Sequence, residues 1–382
     1  MARVAVNPVL LRWARERAGL TPDDLRQKFP KLEEWETQAV QPTFRQLESF
    51  ARATMTPFGY FFLPGPPDEQ LPIPEFRTVR EQAVRRPSPN LLETVQTQQR
   101  RQAWLRETLV GEGESPLPFV GAATIADDVV QVAHDIRQKL GIEGGWAEGQ
   151  GTWTDALRAL RILIDSLGIV VATNGVVGNN THRKLDPNEF RGFVLVDEFA
   201  PFVFINGADG KAAQMFTLAH ELAHVWLGKS AVFDLRDLQP ADDRSELFCN
   251  AVAAEFLLPA HNLERAWDEA RRTDDPYQVL ARRFKVSTIV AARRVLDLGL
   301  ITRPQFLEFF TAYEQDERRK RENRESGGDF YLTQNVRLGR RFAVAVMHAV
   351  KDGRMLYREA YELTGLSGST FDRYVNEIET TL

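Results

Sequence analysis

The constraint that narrows this chain most is the run KAAQMFTLAHELAHVWLG, which contains His220-Glu221-Leu222-Ala223-His224. The pattern is H-E-x-x-H. Residues four apart lie one above the other on a helix, so both imidazoles can reach one metal ion. On a helical wheel Met215, Ala219, Leu222 and Trp226 form an apolar stripe, with His220 and His224 on the opposite side. The expectation is a helix that buries one face in a core and offers the other to a zinc ion. Glu221, beside the first histidine, is placed to take a proton from a zinc-bound water rather than to bind the metal. The plain alternative is a polar helix face carrying two unrelated histidines.

Catalytic zinc usually takes three protein ligands and keeps one position for water. The best source of the third is SELFCNAVAAEFLLPA. Helical spacing puts Glu246, Asn250, Ala253 and Leu257 on one face, with Cys249 at its edge and Glu255 on the other face. Glu246 is the expected ligand. Asn250, one turn on, is the expected outer partner that holds Glu246 or a neighbouring histidine. Asp242 and Asp243 compete on sequence distance, and Cys249 is a softer alternative. Pro259 stops the helix.

HELAH followed by a Glu-x-x-x-Asn helix running into AAEFLLP resembles the ImmA/IrrE family of zinc metallopeptidases. The wider chain resembles family members that begin with an XRE-type helix-turn-helix. WETQAVQPTFRQLESFA, LPIPEFRT, GVVGNNTHRKLDPNEFRGF, FINGADGKAAQMFTLAHELAH and LARRFKVST carry that likeness, which covers most of residues 8–300. The resemblance implies a zincin-like core, a zinc metalloendopeptidase activity and a regulatory protein substrate, such as a repressor or a toxin's partner. Chains with this whole arrangement, including the FRGF strand and the GGDFY-led C-terminal stretch, resemble proteins encoded beside small PIN-like nuclease toxins. That implies an antitoxin or regulator of a toxin-antitoxin, stress or phage-type system. The reading that competes is a non-proteolytic antitoxin, or a DNA-binding transcription regulator, with a structural or vestigial zinc site.

A chain of 382 residues is too long for one ordinary core, so several domains are expected. A net charge of −5 excludes a generally basic nucleic-acid coat but permits a local basic face. One cysteine excludes an internal disulfide and fits a reducing cytoplasm. No signal peptide opens the sequence, and no apolar run approaches the roughly 20 residues of a membrane span. The expected fold class is α+β, mainly helical, with a small β-sheet beside the H-E-x-x-H helix and helix-turn-helix-like modules.

Residues 1–64 are expected to form the XRE-like module. Gly19 ends a first helix, Thr21-Pro22 opens a second, and FRQLESFARAT forms a later one. Between Phe29 and Trp35 only PKLEE remains where such modules usually start a longer recognition helix. Nine Lys/Arg stand against seven Asp/Glu here, a weak phosphate-binding balance, so DNA and protein contacts both stay open. Residues 65–150 are a proline-rich connector and helices, the first of them capped by Ser88.

Residues 151–265 are expected to hold the metal core. GIVVAT, RGFVLVD and PFVFIN are β-branched and aromatic runs, hence strands, and Asp209 is the expected cap of the HELAH helix. GVVGNNTHRKLDPNEF between the first two strands reads as a loop, where His182 or Arg183 could stabilise an oxyanion. Residues 266–313 read as a winged-helix-like unit, whose Arg293 and Arg294 could meet phosphate or form a solvated face. Residues 314–328 are a charged linker or helix extension, and 329–382 a helical partner-binding unit. Arg337, Arg340, Arg341 and Arg354 are the basic groups expected to meet the acidic site of a PIN-like toxin. DNA is a further candidate partner, a membrane is not, and an oligomer is left open.

Overall fold

The computed structural model describes residues 3–69, 87–142, 144–233, 244–315 and 330–380. The chain divides into two units, Met1–Pro72 with Arg80–Gln96, and Ile73–Val79 with Thr97–Leu382.

The first unit is helical. α1 (Pro8–Arg17) starts at Asn7, whose side chain accepts the Val9 N–H, and Pro8 removes a donor that would have had no partner. α2 (Pro22–Arg26) opens on a capping box between Thr21 and Asp24. α3 (Leu32–Glu36) has five residues and no side-chain cap. α4 (Phe44–Ala53) opens on a second capping box, Thr43 with Gln46. A 3-10 turn, Phe58–Phe62, follows. Leu10, Trp13, Leu25, Phe29, Leu47 and Phe61 share one core with Trp35 and Phe50. Phe50 takes the edges of Phe29 and Trp35 at centroid distances of 5.4 and 6.3 Å. After Phe29 the chain has room for α3 only, and α3 is acidic. Glu33 and Glu34 are at the surface or half-exposed, and Glu36 pairs with Arg15 at 2.9 Å.

α5 (Pro89–Gly111) follows, its first turn capped by Ser88, whose Oγ accepts the Leu91 N–H at 3.1 Å. The second unit then runs through α6 (Val129–Lys139) and α7 (Trp153–Ser166) into β1 (Val170–Asn174). β2 (Val176–Val177) and β3 (Asn180–Lys184) form a hairpin, where the sequence reads as a loop. β4 (Gly192–Leu195), β5 (Phe202–Asn206), α8 (Lys211–Leu227) and β6 (Ala231–Phe233) complete the centre. The sheet order is β1-β5-β4-β6. β1 lies parallel to β5, and β4 is antiparallel to both β5 and β6.

Side chains alternate across a strand. Val171, Val194, Val203 and Ile205 share a core cluster with Leu218 and Leu222 of α8 and with Leu160 and Ile164 of α7. On the opposite face Phe193 stacks on Phe204 at 5.0 Å. Gln102 of α5 ties that helix to the sheet by donating to the Leu195 and Ala200 carbonyls at 2.7 and 3.0 Å. The three strands that sequence patterning marks are all strands. Their apolar residues are buried on both faces, which is why they read as near-continuous hydrophobic runs.

Five helices follow on one side of the chain's course: α9 (Arg244–Leu257), α10 (Ala260–Ala270), α11 (Pro276–Phe284), α12 (Thr288–Asp297) and α13 (Arg303–Gln315). Pro259 separates α9 from α10, and Ser287 caps α12 by accepting the Val290 N–H. The C-terminal helices are α14 (Phe330–Leu338), α15 (Arg340–Lys351), α16 (Tyr357–Thr364) and α17 (Gly368–Thr380). α14 and α15 dock on the sheet's β1 edge. A Cβ on Gly339, which has φ +81°, would lie 2.5 Å from Val170 Cγ1, so only glycine permits this approach. α15 has no side-chain cap of its own, and Asp165 of α7 supplies one by accepting the Arg341 N–H at 3.0 Å. Among the described residues no helix is long and apolar enough to cross a membrane. The architecture is α+β and mainly helical, with the small sheet against the H-E-x-x-H helix.

Candidate metal centre

α8 is buried all round from Gln214 to Leu227, so the one-sided burial that the helical wheel suggests is too modest. The sheet covers one side of it, and α7 and α9 cover others. Trp226 stacks on Phe119 at 4.6 Å and donates its Nε1–H to Asp135 at 2.8 Å. The helix starts at Gly210 without a side-chain cap. Asp209, the cap expected from sequence, instead accepts from Arg191 and from the Gly210 N–H, at 3.0 and 2.8 Å. Gly228 closes the other end in the left-handed conformation, as C-cap glycines do.

On this helix His220 and His224 place their Nε2 atoms 3.0 Å apart. Glu246, in the first turn of α9, brings one carboxylate oxygen 3.1 Å from His220 Nε2 and the other 3.0 Å from His224 Nε2. All three residues are buried. A tetrahedral ion with bonds of about 2.0–2.2 Å needs ligand atoms roughly 3.3–3.6 Å apart, close to this spacing. Asn250, one turn after Glu246, sets its Oδ1 3.0 Å from His220 Nδ1. A carbonyl oxygen only accepts, so Nδ1 carries the proton and Nε2 keeps its lone pair for a metal. Lone pairs and a carboxylate packed this closely repel unless a cation or protons sit among them. The donor set therefore fits a divalent ion such as zinc. With no ion bound, the rings can instead carry protons on Nε2: burial alone would then raise the Glu246 carboxyl, but bonds and charge from the two protonated histidines hold it down to about 2.

Glu221 follows the first histidine and is fully buried. Neither of its carboxylate oxygens has a hydrogen-bond partner among the described residues. Burial, with the Glu246 charge adding to it, pushes its pKa well above the ordinary carboxylate value. Its neighbour across the interface is Gly192 on β4. A Cβ there would stand 2.6 Å from Thr217 Cγ2, 2.9 Å from the Phe204 oxygen and 3.3 Å from Glu221 Oε1. The strand and the helix thus touch beside the acid, an approach that sequence reasoning missed. The signal for it is a glycine opening the strand RGFVLVD.

The other expected site residues are placed as follows. His182 is exposed on β3 and Arg183 half-buried beside it; neither joins the metal-binding group. Cys249 is buried on α9 and is also outside that group. Asp242 and Asp243 lie outside the described residues. Arg293 pairs with Asp297 one turn along its own helix at 2.9 Å. Arg294 is turned inward onto Glu255 and the Leu258 carbonyl, not toward a phosphate. Arg337 donates to Asn179 at 2.9 Å, and Arg354 to Glu112 and Asp352 at 2.6 and 2.8 Å. Arg341 is half-buried against the Asp165 and Glu114 charges, and Arg340 lies near Asp165 as well. Of these four, Arg340 and Arg354 stay exposed at the surface, while Arg337 and Arg341 are half-buried.

Residues 164–296 match the Peptidase M78 family model, described as the IrrE N-terminal-like domain. The match runs from the end of α7 to α12 and includes the whole metal-binding group. It supports a likeness of this part of the chain to the ImmA/IrrE metallopeptidases. Residues 338–377, from the end of α14 into α17, match a model described as a domain of unknown function, DUF8813. No curated protein matches the chain.

Proposed function

We propose that residues 164–296 form a zinc-dependent endopeptidase domain, in which His220, His224 and Glu246 hold the ion and Glu221 moves the proton. The observation that carries this reading is a fully buried carboxylate without a hydrogen-bond partner among the described residues, next in sequence to His220. A purely structural metal site has no use for such a group, and an unsatisfied buried polar group is costly to keep. Zinc at this position would act as a Lewis acid on a carbonyl and as an activator of water.

The chain's own residues supply the rest. Asn250 fixes the His220 tautomer by accepting its Nδ1–H. The sheet and flanking helices shield the acid from bulk water, which raises its affinity for a proton. A Glu221 oxygen takes a proton from the water that attacks the scissile carbonyl, as the new C–O bond forms. It returns the proton to the amide nitrogen as the C–N bond breaks. His182 or Arg183, on β3, would stabilise the oxyanion, and if His182 does so His182→Ala should lower kcat with little change in KM.

The substrate we propose is a regulatory protein, such as a repressor or a toxin's partner, and a PIN-like toxin is a binding partner that the chain restrains. It rests on the resemblance of the whole arrangement. The competing non-proteolytic or DNA-binding regulator is disfavoured by Glu221 and by the acidic α3 where a recognition helix would start. The test is metal analysis and hydrolysis of candidate proteins by wild type and Glu221→Gln. The variant should keep about one zinc per chain and lose hydrolysis. A variant that hydrolyses at the wild-type rate overturns the proposal.

A further inference from the structure

The β2–β3 hairpin has little to hold it in place by itself. β2 has two residues, and its pairing with β3 shifts register between Val176 and Val177. Two-stranded hairpins are marginal alone in water, so the position of this one is set from outside. At its tip Asn179 is held on both sides of its amide. Its Oδ1 accepts from Gln334 Nε2 at 3.0 Å and from an Arg337 nitrogen at 2.9 Å. Its Nδ2 donates to the Gly365 carbonyl, at the end of α16, at 3.1 Å. One side chain therefore joins the hairpin to α14 and α16. Gln334 is 1% exposed, so its amide would be left unsatisfied and buried if Asn179 moved away.

At the base the hairpin bears on the turn that leads into α8. A Cβ on Gly175 would stand 2.9 Å from the Ala208 nitrogen, and Gly207 donates its N–H to the Asn174 carbonyl at 2.9 Å. The carbonyls of Gly207 and Asp209 in turn accept from Gln214 Nε2, in the first turn of α8, at 3.4 and 2.6 Å. Gln214, Thr217 and Glu221 follow at spacings of three and four, along one face of that helix. A continuous set of contacts thus runs from the C-terminal helices through the hairpin to the helix that carries the metal ligands.

We infer that the C-terminal helices are a latch on the β2–β3 hairpin, pinned at Asn179, and that loosening the pin frees the hairpin beside the turn that starts α8. A protein that draws α14 or α16 away would release it. In the peptidase reading, on which this consequence rests, the latch governs how the hairpin with His182 closes on substrate. Asn179 is then a positioning residue.

The test is hydrogen exchange on the full zinc-loaded chain, comparing wild type with Asn179→Ala and, from the other side of the contact, Gln334→Leu. Both variants should exchange the amides of residues 176–184 about ten-fold faster, with α7 and α9 unchanged and zinc content as in wild type. Unchanged exchange in the hairpin overturns the latch. A rise spread over α7 and α9 overturns it too, because Asn179 would then be a general stabiliser. The exchange result needs no hydrolysis, so a wild type without peptidase activity defeats the peptidase reading and leaves the latch to be decided by exchange. If the wild type does cleave, Asn179→Ala should change kcat or KM at unchanged zinc content.

Discussion

Replacing Glu255 with methionine should cost more stability than replacing Glu255 and Arg294 together. Their side chains are 8% and 11% exposed and make the ion pair that ties the end of α9 to α12. The carboxylate also accepts the Ala260 N–H at 3.2 Å, and the guanidinium donates to the Leu258 carbonyl at 3.3 Å. Glu255→Met leaves a buried guanidinium without its carboxylate, a change that costs about 3–5 kcal/mol. Arg294→Met strands the carboxylate with a similar cost at neutral pH. The double methionine variant removes both charges, an exchange that is often near neutral, and leaves only the Ala260 N–H and the Leu258 carbonyl to satisfy, so it should cost less than either single change. The two changes should therefore be non-additive by about 3 kcal/mol or more. Urea titrations followed by tryptophan fluorescence measure it, since Trp267 on α10 packs near these helices in the same core cluster. Single costs under about 1 kcal/mol that simply add would refute the argument. An Arg294 that served phosphate instead would lose little stability as methionine and would lower the salt slope of DNA binding by about 1.

Asn250→Ala removes the acceptor from His220 Nδ1 and should weaken zinc binding about 10–100-fold in a chelator competition, while Glu246→Ala should abolish it. Glu246 sits at about 2 in the fold against an ordinary 4.5, so its contribution is complete above pH 4.5 and is lost as pH falls toward 2. Metal-free protein should lose stability across that window, and Glu246→Gln should flatten the loss in urea titrations. Gly192→Ala forces a methyl against the Phe204 carbonyl and Thr217, and should cost about 1–3 kcal/mol; zinc should stay bound while hydrolysis falls. Residues 1–64 alone should bind duplex DNA no better than about 10⁻⁴–10⁻⁶ M at physiological salt, and nanomolar, sequence-selective binding in a titration would overturn that.

The three residues that could hold a metal were legible because much of their geometry is local. A spacing of four on one helix fixes His220 with His224, and the same spacing on the next fixes Glu246 with Asn250. Strands β1, β4 and β5 were legible for a similar reason, since each is a short run of residues that suit a buried sheet. The hairpin was not. β2 and β3 hold themselves weakly and are joined by Gly178 and Asn179, with Asn180 opening β3, and these are loop residues in any local reading. Asn174 holds the turn locally through the Gly178 carbonyl, but Asn179's contacts with residues 155 and more positions away are encoded by no pattern along the chain. Asp209 misled for a different reason. It lies one position before the N-cap and has an arginine from across the chain for a partner. The internal partners of Arg337 and Arg354 were not legible either, because Asn179 and Glu112 lie far from them along the chain.

The cap that Asp165 lends to α15 bears on the order in which the chain can assemble. During synthesis α7, β1 and the hairpin emerge long before the helices that rest on them, so the acceptors at Asp165 and Asn179 stand ready before their donors exist. Until α14 and α15 arrive, β1 is an open sheet edge that begins with two valines, the kind of surface on which a second nascent chain can pair. A ribosome stalled before residue 330 would hold the chain in that state, and a chaperone's need for this protein should peak there.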